Sequence, residues 1–150
     1  MDGTVNPLDK FRDAFQFFTE ETRVARYVTV AGSENGITVP DAGGISDRHI
    51  QGIHAPGLVP VPAVIFFRTR HNQAPSFSVR LNAARLTAET LQGEGPRTWH
   101  EIIPAGALRS ADNELTLAVT GEGSVTFSDI VILYTSDELT VKRPLVVSPG

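Results

Sequence analysis

Apolar and polar residues alternate along most of the chain after residue 22, and a period of two is typical of β-strands with one buried face. Residues 76–82 show the pattern most clearly, because three apolar side chains share one face: Phe77, Val79 and Leu81. Residues 114–120 alternate in the same way. Residues 24–30 place valines on one face, with Tyr27 and Thr29 on the other. All three segments are therefore predicted to be strands.

Shorter or less regular apolar runs predict further strands between turns rich in glycine and proline. These runs lie at residues 36–40, 61–69, 86–91, 98–103, 124–134 and 139–147. The run at 61–69 is almost continuously apolar, which is typical of a strand buried on both faces. Pro144 confines part of the last run to a sheet edge. Residues 104–108 are predicted to form a single helical turn.

The first 20 residues have the period of a helix instead. Asn6 suits the helix cap, and Pro7 suits the first helical position. Four large apolar residues then share one helical face, with Phe17 outside it: Leu8, Phe11, Phe15 and Phe18. This short amphipathic helix is predicted to pack on the rest of the domain. A docking helix for another subunit is the open alternative.

Residues 41–60 form the longest stretch without a regular pattern, and they contain His49 and His54 among several glycines and prolines. Loops of more than about 12–15 residues are uncommon in compact domains unless they have a function. We therefore expect a ligand site near this loop.

Eight or so short strands with almost no helix between them predict an all-β domain. The expected architecture is a two-sheet antiparallel β-sandwich of the jelly-roll type, with a short N-terminal amphipathic helix. At 150 residues the chain has the size of one domain, so residues 1–150 are assigned to a single domain. Within it, residues 1–20 form the helical segment and residues 22–147 the sandwich.

Composition narrows the range of partners. The chain has 13 basic and 17 acidic residues and a net charge of −4, whereas nucleic-acid binders usually show a basic excess or patch. The absence of cysteine excludes a disulfide framework, a thiolate metal site and a cysteine nucleophile. No apolar run approaches the roughly 18 residues that span a bilayer. Neither nucleic acid nor a membrane is therefore an expected partner.

The first seven residues, MDGTVNP, lack the basic stretch and the apolar stretch of a signal peptide. This favours a cytoplasmic location. The sequence suits equally well a domain excised from a longer secreted protein, because a chain of this size builds a core without disulfides.

Three phrases in the second half resemble the galactose-binding-like jelly roll, the fold of many carbohydrate-binding modules. They are FSVRLN at 77–82, WHEIIP at 99–104 followed by Leu108 and NELTLAV at 113–119, and VTFSDIVILY at 125–134. Asn113 suits the tight turn that opens a strand. The resemblance implies a sandwich with a binding function, and the same fold also serves as a structural domain in larger enzymes and assemblies.

Trp99 is the single tryptophan and a candidate platform for a sugar, since the C–H-rich faces of sugars pack on aromatic rings. It shares a strand phase with Glu101 and Ile103, while His100 shares a phase with Ile102. Isoleucine on both faces predicts burial on both, and tryptophan is usually well buried. Trp99 therefore belongs either to the core or to a ligand site.

A polar cluster of Arg68, Arg70, His71 and Asn72 follows the apolar run at 61–69. These side chains can donate many hydrogen bonds, to a sugar hydroxyl, a carboxylate or an acidic side chain of a partner protein. The alternative is that they only solvate the end of a strand. Together with Trp99, His49 and His54, they are the predicted ligand-binding residues.

Asp129 follows Phe127 in the inward-pointing phase of an apolar strand. Either a β-bulge shifts the phase, or the carboxylate is buried and paired, for example with Arg80. The resemblance implies a further role, because an acidic residue in this strand helps some carbohydrate-binding modules to hold a structural calcium. Glu20 and Glu21 are the other candidate ligands. Calcium needs about six to eight oxygens, so no cofactor is the main expectation and calcium the lesser one.

No motif points to catalysis. The four histidines lack a zinc-ligand spacing, and no nucleophile elbow, phosphate-binding loop or dinucleotide motif occurs. The expected function is that of a non-catalytic binding module of the carbohydrate-binding type. The alternative is a structural or assembly protein that forms a homo-oligomer, or binds a partner protein, through its N-terminal segment.

Overall fold

The structure is a computed structural model that describes residues 23–34 and 36–137, which form nine β-strands and no helix. The strands are β1 (Val24–Ala31), β2 (Ile37–Val39), β3 (Asp47–Ile53), β4 (Ala63–Asn72), β5 (Ser76–Leu81), β6 (Ala84–Thr90), β7 (Arg97–Ile103), β8 (Asn113–Thr120) and β9 (Ser124–Ser136). This part of the chain contains no helix long and apolar enough to cross a membrane. The predicted N-terminal helix and the predicted strand at 139–147 lie outside the described residues.

The nine strands form two antiparallel sheets packed as a sandwich, which confirms the predicted all-β architecture. The five-stranded sheet has the order β1-β9-β4-β7, with β2 also paired to β9. The four-stranded sheet has the order β3-β8-β5-β6. β1 and β2 pair with different halves of β9, which is long enough to accommodate both. The jelly-roll type itself stays a prediction.

The core between the sheets is rich in aromatic rings. Phe67, Phe77 and Phe127 are buried, and their ring centroids lie 5.6–6.2 Å apart. Each ring comes from a strand whose alternate residues point inward. The inward positions predicted for β5 are all buried, so the alternation identified the core face of this strand correctly.

The prediction that β4 and β7 are buried on both faces was wrong. Phe66 of β4 is 38% exposed and Ile102 of β7 is 67% exposed, although Phe66 lies between two apolar residues and Ile102 precedes Ile103. Both residues point to the outer face of the five-stranded sheet, opposite the core. A continuous apolar run therefore marks an apolar outer face here.

A β-bulge in β9 resolves the position of Asp129. The register of β9 against β4 shifts between Phe66 and Arg68, so that β9 carries one extra residue there. Asp129 lies in this bulge with a left-handed φ of 51°. Ile130 takes the buried position that simple alternation assigns to Asp129. The bulge keeps the carboxylate out of the core, as the first of the two sequence alternatives predicted.

Two local predictions were wrong. The irregular stretch at 41–60 contains β3 (Asp47–Ile53), in which only Ile53 is buried. An exposed edge strand of this kind has no apolar alternation to reveal it. Residues 104–108 form a turn in which the Ala107 N–H donates to the Pro104 carbonyl at 3.0 Å, and the predicted helical turn does not form.

Gly123, in the turn between β8 and β9, is expected to tolerate no side chain. Its φ is +100°, and an added Cβ would lie 2.3 Å from the Asn72 carbonyl oxygen. Since that neighbour is backbone, the hairpin itself would have to move. We expect Gly123→Ala to lower the free energy of unfolding by about 2 kcal/mol or more, measured by urea or thermal denaturation.

Gly121→Ala is the matched control in the same turn. Its φ is also left-handed, at +85°, but the nearest atom to an added Cβ is 3.8 Å away. Backbone strain alone predicts a loss of about 1 kcal/mol there. Equal losses in the two variants would contradict a steric role for Gly123.

Candidate functional site

A polar cleft of about 300 Å³ opens at the outer face of the five-stranded sheet, beside the bulge in β9. Its polar lining comes from β4, from β9 and from the connection between β1 and β2: Ser33, Arg68, Thr69, Arg70, Thr126, Ser128 and Asp129. Three of these residues were predicted from the sequence as ligand or metal residues, namely Arg68, Arg70 and Asp129. The structure therefore brings together candidates from two distant parts of the chain.

Strand phase explains why this cleft is polar. Arg68 and Arg70 alternate with buried residues along β4, so both guanidinium groups point away from the core. Their cross-strand neighbours on β9 are Ser128 and Thr126. Residues directly opposite each other in an antiparallel pair lie on the same face. Two arginines and two hydroxyl groups consequently share one surface.

The bulge brings the remaining groups to the cleft. The Asp129 N–H donates to the Gly32 carbonyl at 3.2 Å, and the Ser33 hydroxyl donates to the Asp129 carboxylate. These two contacts hold the connection between β1 and β2 against β9. On the neighbouring pair of strands, the hydroxyls of Thr38 and Thr126 are hydrogen-bonded at 2.8 Å. The left-handed conformation of Asp129 therefore brings its carboxylate and the Ser33 hydroxyl together in the cleft.

Two guanidinium groups and one carboxylate give the cleft a net positive charge. Among the described residues, the close contacts between basic and acidic side chains join His49 to Asp47 and Glu114, and neither arginine of the cleft takes part in one. The guanidinium N–H groups of an arginine without an ion pair can donate hydrogen bonds to a ligand. Donors and acceptors for a polar ligand therefore lie side by side.

Trp99 lies on the core side of the sheet. Its indole ring stacks on Phe67 at a centroid distance of 6.2 Å and meets Phe77 edge-on at 5.2 Å. Its Nε1–H donates to the Thr69 hydroxyl at 2.8 Å, and the Arg97 guanidinium lies 4.5 Å from the ring centroid. The indole is half-buried and adjoins the cleft through Thr69, which is part of its lining.

His71 and Asn72 contact neighbouring turns at the end of β4. His71 Nε2 lies 3.1 Å from the Gly93 carbonyl oxygen, and its buried Nδ1 has no partner among the described residues. The Asn72 side-chain oxygen accepts a hydrogen bond from the Ser124 N–H at 2.8 Å. Neither residue lines the polar cleft.

His49 and His54 belong to β3 and to the chain just after it. His49 Nε2 lies 3.2 Å from Asp47 Oδ2, and its Nδ1 lies 3.1 Å from Glu114 Oε2. His54 Nδ1 accepts a hydrogen bond from the Asp112 N–H at 3.1 Å. The structure places both histidines on the four-stranded side of the sandwich and does not bring them to the arginines.

The described residues do not assemble a metal site. No group of three or more histidine or acidic side chains within residues 23–34 and 36–137 is arranged to hold a metal ion. The polar cleft offers one carboxylate beside two arginines, and two cations disfavour a calcium ion that needs about six to eight oxygens. Glu20 and Glu21 lie outside the described residues, so their part in the calcium hypothesis stays a prediction.

Sequence reasoning missed the hydroxyl groups of the cleft. Thr126 and Ser128 alternate with Val125 and Phe127, and this alternation alone would have placed them on the outer face of β9. Ser33 had no comparable signal. Its hydrogen bond to Asp129 joins residues 96 positions apart and depends on the geometry of the bulge.

A second, shallower depression of about 660 Å³ lies on the outer face of the four-stranded sheet. Its floor is made of small residues that are cross-strand neighbours: Ser78, Ala88 and Ala118. No residue predicted as a ligand from the sequence lines this depression.

Comparisons with known proteins find similar structures but no matching family. No protein-family model matches the chain, and no curated protein matches it. Among solved structures, the chain is similar to the CBM36-1 domain of a multidomain xylanase from the hindgut metagenome of Trinervitermes trinervoides. The sequence identity is 9% and the TM-score 0.45, and the match covers 73% of this chain and 96% of that domain.

The chain is also similar to a CBM36 carbohydrate-binding module in complex with calcium and xylotriose, at 11% identity and a TM-score of 0.41, over 74% of this chain and 99% of the module. A third similar structure is that of infectious bursal disease virus, Gx strain, at 8% identity and a TM-score of 0.28, over 79% of this chain and 37% of the viral chain. The similarity to the two CBM36 structures is at low sequence identity.

Proposed function

We propose that this protein is a non-catalytic binding module that takes a carbohydrate in the polar cleft beside Asp129. The observation that carries the proposal is the convergence of Arg68, Arg70 and Asp129 on one cleft with the hydroxyl groups of Ser33 and Ser128. The bulge at Asp129, whose φ is 51°, holds this carboxylate at the cleft.

The chemistry of the cleft suits sugar hydroxyl groups. A hydroxyl donates one hydrogen bond and accepts others, so it is best held between an acceptor and a donor. The Asp129 carboxylate supplies the acceptor, and the guanidinium groups of Arg68 and Arg70 supply the donors. A volume of about 300 Å³ is at the small end of the range for ligand sites. It suits one or two sugar rings.

The positive charge of the cleft favours a sugar that carries a carboxylate. Guanidinium groups bind carboxylates through two parallel hydrogen bonds, and charged hydrogen bonds are roughly twice as strong as neutral ones. The preferred ligand is therefore expected to be an oligosaccharide with a uronic acid residue. A neutral oligosaccharide would bind more weakly at the same hydroxyl-binding groups.

We expect a xylo-oligosaccharide that carries a glucuronic acid substituent to bind more tightly than xylotriose, measured by titration calorimetry. Xylotriose is the neutral probe, since a similar module is seen with it. Replacing either Arg68 or Arg70 by alanine is expected to weaken binding of the acidic sugar about tenfold or more, because a charged hydrogen bond contributes about 1.5–3 kcal/mol. Binding is also expected to weaken as salt rises.

Arg80→Ala is the matched control, because Arg80 is an exposed arginine that points outward from β5 on the other sheet. It is expected to leave the affinity unchanged. An equal loss in Arg80→Ala and Arg68→Ala would contradict the proposed site, as would the absence of binding to both sugars. Chromatography of the sugar after each titration checks that it remains intact, since shortened products would indicate an enzyme.

A further inference from the structure

The outer face of the five-stranded sheet has a polar half, with the cleft, and an apolar half. The apolar half, named the apolar face, is made of outward residues on four neighbouring strands: Tyr27, Val64, Phe66, Ile102, Val131 and Leu133. Cross-strand pairing places four of them in one row from β1 to β7: Tyr27, Leu133, Val64 and Ile102. The next row, on the side of the bulge, has Val131 and Phe66 at its centre and the polar residues Thr29 and His100 at its ends.

The apolar face is exposed among the described residues. Tyr27 is 70% exposed, Ile102 67% and Phe66 38%. Large contiguous apolar patches are rare on soluble monomers unless another segment or partner covers them. The central outward positions of the four-stranded sheet carry serine and alanine instead. The apolar face is therefore a distinct feature of one sheet, and covering it would remove apolar surface from water.

We infer that residues 1–22 of the same chain cover the apolar face, through the helical side that carries Leu8, Phe11, Phe15 and Phe18. At helical spacing these side chains form one apolar stripe. Asp9, Lys10 and Asp13 fall on the opposite side of the same helix. The segment thus offers an apolar side for the sheet and a charged side for solvent.

The position of the chain at residue 23 supports this cover. Residues 1–22 lead directly into β1, which is an edge strand of the same sheet. β1 starts at Val24, opposite Ser136, and reaches the apolar face at Tyr27. The chain therefore enters the sheet at its apolar end, and the arginines of the cleft lie farther along the strands.

The dimensions of the segment and the face also agree. From Leu8 to Phe18 a helix extends about 15 Å at 1.5 Å per residue. Three strand spacings of about 4.8 Å make the four strands of the face about 14 Å wide. Residues 19–22 reach about 13 Å when extended, which is enough to bring the helix back over the sheet.

Residues 1–22 are favoured over a second copy of the chain as the cover, because they are joined covalently to β1 by a short connection. A segment joined by a short linker has an effective concentration in the millimolar range at its site. The described chain also ends at this end of the sheet, with Ser136 opposite Val24. The pattern of residues 139–147 predicts a strand that Pro144 confines in part to an edge, and a strand pairs with a sheet edge instead of covering a face. Intramolecular docking of the N-terminal segment is therefore the arrangement we expect.

Site-directed crosslinking of the 150-residue chain tests this arrangement, because the chain has no cysteine of its own. The double variant Phe15→Cys/Ile102→Cys is treated with a short bismaleimide at low protein concentration. We expect a crosslinked monomer, with residues 15 and 102 in one joined peptide by mass spectrometry. Phe15→Cys/Tyr27→Cys gives an independent measurement at the other edge of the face.

Phe17→Cys/Ile102→Cys is the matched control. Two residues turn a helix by about 200°, so Phe17 lies opposite Phe15 on the same segment. We expect its crosslinking yield to be at least about fivefold lower at equal reaction time. Val146→Cys/Ile102→Cys measures the C-terminal segment as the competing cover.

Three results would overturn the inference. Covalent dimers as the main product would assign the apolar face to a second copy. Equal yields for Phe15→Cys and Phe17→Cys would show that the segment is not docked by its apolar side. A higher yield for Val146→Cys than for Phe15→Cys would assign the face to the C-terminal segment. None of these results depends on carbohydrate binding.

Discussion

Replacing Phe67 by alanine is expected to lower the free energy of unfolding by about 3–5 kcal/mol, which is typical of the loss of a fully buried phenylalanine. Phe67 is 1% exposed and lies at the centre of the aromatic core. Its ring centroid is 6.0 Å from that of Phe77, 6.2 Å from that of Phe127 and 6.2 Å from that of Trp99. The truncation removes the group that all three rings contact. Urea denaturation measures the loss, provided that the dependence of the free energy of unfolding on urea concentration is the same for both proteins.

Phe67→Leu is the control at the same position. Leucine retains most of the apolar volume and loses only the aromatic contacts, which are worth about 0.5–1.5 kcal/mol per pair. We therefore expect a loss well below that of Phe67→Ala. If both variants lost the same stability, the contribution of Phe67 would come from its aromatic contacts and not from the apolar volume that it fills. A loss below about 1 kcal/mol for Phe67→Ala would contradict its central place in the core.

The alternation of apolar residues predicted which faces of the strands form the core. β5 and β8 are paired in the middle of their sheet, so each buries every second residue and alternates cleanly. Alternation does not reveal a strand or its core face where burial does not follow the period of two. β3 (Asp47–Ile53) is an edge strand with almost no buried residue, and the two-sided apolar pattern of β4 reflects an apolar outer face.

The candidate site was predicted in part, for a physical reason that differs from residue to residue. Arg68 and Arg70 follow from strand phase, since two arginines separated by one residue must share a face. Asp129 stood out because a carboxylate interrupts an apolar strand. The contact of Asp129 with Ser33 required the left-handed bulge, which no periodic pattern contains. Trp99 was ambiguous because a half-buried aromatic residue at a sheet edge fits both the core and a site.

The division of the outer face into polar and apolar halves links the two proposals. The bulge in β9 lies at the boundary, between the rows of Phe66 and Arg68. On one side of it the outward residues at the centre of the sheet are apolar, with Thr29 and His100 at the two edges. On the other side they are arginines and hydroxyl residues. If residues 1–22 cover only the apolar half, the edge of this segment forms a wall beside the cleft. A ligand would then be confined to the side of the sheet that carries Arg68 and Arg70.

The second large stability effect is expected at Asn113, a fully buried polar residue at the start of β8. The sequence suggested only a turn-forming role for it. Its Nδ2 donates to the Ile53 carbonyl at 2.8 Å and to the Arg109 carbonyl at 2.7 Å. Its Oδ1 accepts from the Arg109 N–H at 2.7 Å and from the Asn82 side chain at 2.9 Å. One side chain thus binds together the ends of β3, the loop before β8 and the β5–β6 turn.

Asn113→Leu, a substitution of similar size, is expected to lower the free energy of unfolding by about 3 kcal/mol. It leaves buried backbone groups of Ile53 and Arg109 without their partner, and each unsatisfied group costs about 1–3 kcal/mol. Asn72→Ala is the control, because the exposed Asn72 side chain accepts from the Ser124 N–H at 2.8 Å, and water can replace this bond. We expect the control to lose about 1 kcal/mol or less. Equal losses in the two variants, measured by urea denaturation, would show that burial does not set the value of these hydrogen bonds.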